Sequence, residues 1–86
     1  MPEITRFFGI IICMYFDDHN PPHFHAIYGD REAQMGIDPI LVLEGSLPAR
    51  AMSMVIEWAG LHQRELMDNW RFLHSDQPAR KIAPLG

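Results

Sequence analysis

Asp17-Asp18-His19-Asn20-Pro21-Pro22-His23-Phe24-His25-Ala26-Ile27-Tyr28-Gly29-Asp30 is the stretch that organises the rest of the chain. Its first six residues are turn formers, ended by two prolines that stiffen the backbone and cannot donate to a sheet. The aromatic and β-branched run His23 to Tyr28 reads as a short strand. Gly29-Asp30 reads as a tight hairpin turn, so Arg31 to Ile37 forms the returning strand.

Upstream, Ile4 to Phe16 is rich in Ile, Phe and Tyr, lacks proline and reads as one buried strand, with Gly9 marking a bulge. Downstream, Asp38-Pro39 breaks the chain, and Ile40 to Glu44 forms a fourth short strand closed by Gly45. Ser46 is the expected N-cap of a helix with Pro48 in its first turn. The helical pattern runs from 48 to about 73, with Met54, Val55, Trp58, Ala59, Leu61, Leu66, Phe72 and Leu73 on one face. A single helix of that length spans roughly 37 Å and protrudes beyond a four-stranded sheet. The tail, 75–86, offers Lys81-Ile82-Ala83 as an edge strand or a mobile end. The expected class is α+β: an antiparallel meander of about four short strands (4–16, 23–28, 31–37 and 40–44), then one long C-terminal helix packed on one face. Short connections and no repeat or linker make 1–86 a single domain.

An 86-residue chain that is 48% hydrophobic and 21% charged is globular, with a modest core. A homodimer or a small protein partner would add to its narrow stability. One cysteine, Cys13, excludes an internal disulfide and fits a reducing, cytoplasmic setting. Met1-Pro2-Glu3 carries no signal-peptide pattern, and Phe7 to Phe16 is too short to span a membrane. Seven basic residues against eleven acidic ones, a formal net charge of −4, argue against a general nucleic-acid coat. A local basic patch of Arg71, Arg80 and Lys81 remains compatible with it.

The histidines carry the chemistry. His23 and His25, two apart on a strand, point to one face with Cα atoms roughly 6.5 to 7 Å apart. Such a pair can chelate a divalent transition metal. His19, Asp17 or Asp18 could supply the third ligand across the turn. Without metal, the same pair suits acid–base work or partner binding, or simply bonds the turn. His62 falls on the apolar helix face. It reads as a packed core residue, or as a third ring converging on His23 and His25 if the helix covers their face. There is no phosphate loop and no nucleophile elbow. Trp58 and Trp70 read as core or interface anchors.

The run Asp18-His19-Asn20-Pro21-Pro22-His23-Phe24-His25-Ala26, with Tyr28-Gly29, Glu44-Gly45, Leu47-Pro48, Glu57-Trp58-Ala59, Leu61-His62, Asn69-Trp70 and Lys81-Ile82, resembles a small bacterial and archaeal family of uncharacterised domains across nearly the whole chain. The resemblance implies gene pairs proposed as toxin–antitoxin modules. In that setting this domain would be the toxin-like half, acting on RNA or translation. His23 and His25 would then do acid–base work, with Arg6, Arg31 or Arg71 holding phosphate. Three function classes therefore stand at this point. They are a partner-binding protein of such a module, using Trp70 and the far end of the helix; a small histidine-based metal-binding or hydrolytic enzyme; and a structural adaptor.

Overall fold

The apolar run from Ile4 to Phe16 folds as two strands, not one. In the computed structural model, which describes residues 3–86, β1 (Glu3–Phe7) and β2 (Ile10–Cys13) pair antiparallel with Phe7 opposite Ile10. Between them Phe8 (φ 48°) and Gly9 (φ 79°) both sit in the left-handed region. Two such residues in succession make the primed two-residue turn whose twist matches a hairpin. Gly9 is therefore a turn residue, and the register shift lies between Glu3 and Thr5. Met1 and Pro2 lie outside the described residues.

β3 (His23–Tyr28), β4 (Arg31–Gly36) and β5 (Val42–Gly45) complete a five-stranded antiparallel sheet in the order β1-β2-β3-β4-β5. The meander agrees with the sequence expectation, with five strands in place of four. β5 starts two residues later than expected. The Leu41 carbonyl instead accepts the Gly36 amide at 2.7 Å and closes the connection. A Cβ at Gly36 would stand 2.8 Å from the Pro39 carbonyl oxygen, so only glycine fits this close approach. The Asn20–Pro21 and Asp38–Pro39 bonds are cis.

The expected long helix is two helices, α1 (Ala49–Leu61) and α2 (Gln63–Leu73). At 1.5 Å per residue they measure about 20 Å and about 17 Å, so no single rod overshoots the sheet. Ser46 is not the cap. Pro48 precedes the first turn and no side chain caps it. The break sits at His62 (φ −124°, ψ 24°), two residues after Gly60, whose helix propensity is poor. His62 still donates its amide to the Trp58 and Ala59 carbonyls, and its own carbonyl accepts the Leu66 amide. The Gln63 side chain bonds the Ile37 carbonyl at 2.8 Å, anchoring α2 to the chain beyond β4.

α1 lies on one face of the sheet, and α2 continues to the start of β3, where Trp70 meets His23. Ala51, Val55, Trp58 and Ala59 of α1, and Leu66, Asn69 and Trp70 of α2, are buried. Trp58 is fully buried at the centre, its ring 5.7 Å from Phe7 and 5.9 Å from Phe24. Its indole N–H donates to the Ala83 carbonyl at 2.8 Å. The tail is thus strapped down, although it forms no regular strand. Asn69 exchanges two hydrogen bonds with the Arg80 backbone, and the Ile82 amide reaches the Ile4 carbonyl at 3.3 Å. Trp70, expected at an exposed helix end, is 6% exposed.

Gly29 and Gly45 separate backbone conformation from crowding. Both have positive φ, but a Cβ at Gly29 meets nothing within 4 Å, whereas one at Gly45 would stand 2.2 Å from the Glu32 carbonyl oxygen. Gly29→Ala should cost about 1 kcal/mol. Gly45→Ala should cost about 3 kcal/mol or more, because β4 backbone must move. Urea denaturation of the two variants checks this; equal losses would contradict it.

Candidate functional site

Alternation along β3 sends Phe24 and Ala26 under the helices and His25 to the opposite face. The register places His25 between Cys13 on β2 and Gln34 on β4. His25 is nevertheless only 6% exposed, because the connection between β2 and β3 folds back over it. Met14, at the start of that connection, is fully buried. Asp18 then donates its amide to the Tyr15 carbonyl at 3.3 Å, turning the chain so that its carboxylate faces the strand.

Three side chains meet there. Asp18 Oδ2 lies 3.0 Å from His25 Nε2 and 3.5 Å from His23 Nε2. The two imidazole rings stand 5.2 Å apart, and the ligand atoms offered by Asp18, His23 and His25 all lie within 4.8 Å of one another. The other ring nitrogens are engaged. His23 Nδ1 donates to the Pro21 carbonyl at 2.8 Å, and His25 Nδ1 lies 2.9 Å from Glu32 Oε2. The Pro21 carbonyl can only accept, so the His23 proton sits on Nδ1 and Nε2 is its lone-pair atom, whereas His25 has a carboxylate at each ring nitrogen. Both Nε2 atoms are therefore aimed at one carboxylate. A neutral imidazole has a single N–H, so His25 can donate to Glu32 or to Asp18 but not to both. The remaining contact is satisfied by a second ring proton, a proton on the carboxyl or a cation between the two atoms.

The surroundings are shaped by burial. The Tyr15 ring meets His25 edge-on at 4.7 Å. Burial pushes its phenol up to about 12, so it stays a neutral hydroxyl. Burial likewise raises the Cys13 thiol, which lies outside the three-residue group and stays protonated. On the solvent side Asp18 and His23 open into a cleft of about 340 Å³, shared with His19, Asn20, Pro21, Gln34, Leu43 and Glu44.

The sequence candidates divide. His23 and His25 come together, and of the third ligands considered it is Asp18 that joins them. His19 is exposed on the cleft wall, and Asp17 is exposed beside it. His62 does not converge on the pair. Its ring packs 5.5 Å from Trp58 and bonds Glu65, on the helix side of the sheet. Trp70 packs 5.4 Å from the His23 ring as a buried support. Arg6 pairs with Glu3, Arg71 pairs with Asp68, and Arg31 ends the β3–β4 turn opposite Tyr28. These arginines stand on three different elements, β1, β4 and α2.

Two contributors escaped the sequence. Glu32 lies diagonal to His25 across the β3–β4 hairpin; the two-residue turn Gly29-Asp30 sets the register that would have revealed it. His74 holds the Asp18 loop from the end of α2. Its Nδ1 donates to the Trp70 carbonyl and its Nε2 to the Asp18 carbonyl, each at 2.8 Å. No local signal links residues this far apart.

A family model described as a domain of unknown function (DUF4160) matches residues 9–71, which include Asp18, β3 and β4. No curated protein and no solved structure matches the chain. Among the described residues, no helix is long and apolar enough to cross a membrane.

The His74 contacts set a pH dependence. Both acceptors are carbonyls, so making both bonds requires both ring protons. The bonds to the Asp18 and Trp70 carbonyls raise the His74 pKa above its ordinary 6.5. A raised folded-state value means the stabilisation is fully present below the unfolded value and is lost as pH rises through the folded one. The difference in melting temperature between the wild type and His74→Gln should be largest near pH 5 and shrink towards about pH 8. A difference independent of pH would refute this.

Proposed function

We propose that this chain, which belongs to the DUF4160 family of domains of unknown function, binds one divalent transition-metal ion through Asp18 Oδ2, His23 Nε2 and His25 Nε2. The observation that carries the reading is the double engagement of the histidines. Each holds its Nδ1 against an oxygen of the protein, Pro21 or Glu32, and each turns Nε2 toward the same carboxylate. Metal-ligating histidines are oriented in this way, by an outer carbonyl or carboxylate. The spacing also suits an ion. Ligands about 2.1 Å from a tetrahedral centre stand about 3.4 Å apart. The two Asp18–histidine separations, 3.0 and 3.5 Å, bracket that value.

Two histidines and one carboxylate, with no thiolate, favour zinc or iron(II) over soft ions. Three protein ligands would leave at least one position for a water or substrate, and the site opens to solvent through the cleft. There a bound ion would polarise a substrate oxygen or acidify a water. His19 and Glu44 on the cleft wall are the chain's own groups within reach of what enters. Support is weaker for an RNA-directed toxin using His23 and His25 as acid and base. Asp18, Glu32 and Glu44 make the site's surroundings acidic, and the arginines are dispersed.

Titration with zinc and iron(II) against a chromophoric chelator, with metal content measured by mass spectrometry, tests the proposal. One ion per chain is expected. His23→Ala and His25→Ala should each lose stoichiometric binding. Glu32→Gln should weaken binding about 10- to 100-fold. His19→Ala should leave it near the wild-type value. Absence of stoichiometric metal in the folded wild type, or full retention by a folded His23→Ala/His25→Ala variant, would overturn it.

A further inference from the structure

The sheet ends in two edges, and they are treated differently. Beside β1 runs the tail: the Ile82 amide bonds the Ile4 carbonyl, Lys81 Nζ reaches the Glu3 carbonyl at 2.8 Å, and Ile82 is buried. β5 closes the other side of the strand order. Among the described residues, no backbone bond joins Val42, Leu43 or Glu44 to any segment other than β4. An open row of backbone donors and acceptors is a template for another strand. Proteins blunt such edges with lysine, proline, a bulge or a covering segment. β5 has neither lysine nor proline, and among the described residues nothing covers it; what blunts it is its four-residue length, the charge of Glu44 and the register shift opposite Gln34 and Met35.

The side chains along this edge say what it would accept. Leu41, Val42 and Leu43 are 43%, 43% and 41% exposed, an apolar run at the rim of a small domain. Glu44 is exposed and pairs across the strands with Gln34, while half of the Glu32 side chain faces solvent. β5 carries no basic residue. A second copy added through β5 would bring two Glu44 carboxylates and no cation to the joint, between chains of net charge −4 each. Like charges across a strand pair are unfavourable.

We infer that the outer edge of β5 takes up an extended segment of a different protein by strand addition, and that the segment carries apolar side chains at one parity and lysine or arginine at the other. Main-chain hydrogen bonds to β5 supply the attachment, and alternate side chains supply selectivity. The apolar set covers Val42, which pairs with the buried Met35. The basic set faces Glu44 and the free oxygen of Glu32. This attachment uses none of Asp18, His23 and His25, but it borders their cleft, which Leu43 and Glu44 also line.

A fluorescent peptide of about six alternating valine and lysine residues is the probe, read by anisotropy and by amide exchange of the protein. Saturable binding is expected, with slower exchange at the outward-facing amides of β5. A valine–glutamate peptide should not bind. The valine–lysine peptide N-methylated at every residue should fail, because its main-chain donors are gone. Glu44→Lys should weaken the valine–lysine peptide roughly threefold to fivefold. Absence of binding, or equal binding of the N-methylated peptide, would overturn the inference. So would sedimentation showing a self-dimer that protects the β5 amides, which would make a second copy the occupant.

Discussion

The two-residue alternation of β3, the middle strand of the sheet, is the constraint on which both core and site depend. Phe24 and Ala26 must enter the core for the helices to have a surface, and they are fully buried there. Once they do, His25 is committed to the opposite face, and the hairpin register brings Glu32 diagonal to it. A one-residue slip would exchange the two sets, placing imidazoles under Trp58 and Phe24 in water. The core and the site are thus two sides of one register.

The site is completed from a distance. Asp18 lies on a loop, and a carboxylate held only by a loop would not stay opposite two imidazole nitrogens. His74 at the end of α2 grips the Asp18 carbonyl, Trp70 backs the His23 ring, and the Pro22 carbonyl accepts the Ile37 amide. The break at His62 therefore has a functional side. α2 leaves the line of α1 and ends where it can fasten the loop. The strapped tail works in the same direction, since Asn69 joins α2 to Arg80 and Trp58 joins α1 to Ala83.

Local features were legible in the sequence and long-range ones were not. Pro21 to Ile37 declares its turn, strand, hairpin and strand through proline, glycine and aromatic content, and the observed bounds agree within about a residue. The Phe8-Gly9 hairpin was hidden because an apolar run with one glycine also reads as a continuous strand, and phenylalanine gives no warning of a left-handed backbone. The break at His62 was hidden because Ala59, His62 and Leu66 keep helical spacing across it, so periodicity passes through unchanged. At the site, i and i+2 spacing sufficed to place His23 and His25 together, and proximity in sequence brought Asp18 into consideration. The idea of a converging His62 failed because its apolar face looks at Trp58, on the far side of the sheet from His25. Glu32 required the register, and His74 required the whole fold.

The central claim is that His23 and His25 present Nε2 to one shared ion while Nδ1 stays bonded to the protein. Long-range nitrogen–proton spectra of the imidazoles, recorded with one equivalent of zinc, test it most directly. The account predicts metal-shifted Nε2 and proton-bearing Nδ1 for His23 and His25, with the other three histidines unchanged. Unaltered spectra for His23 and His25, or coordination through Nδ1, would contradict it.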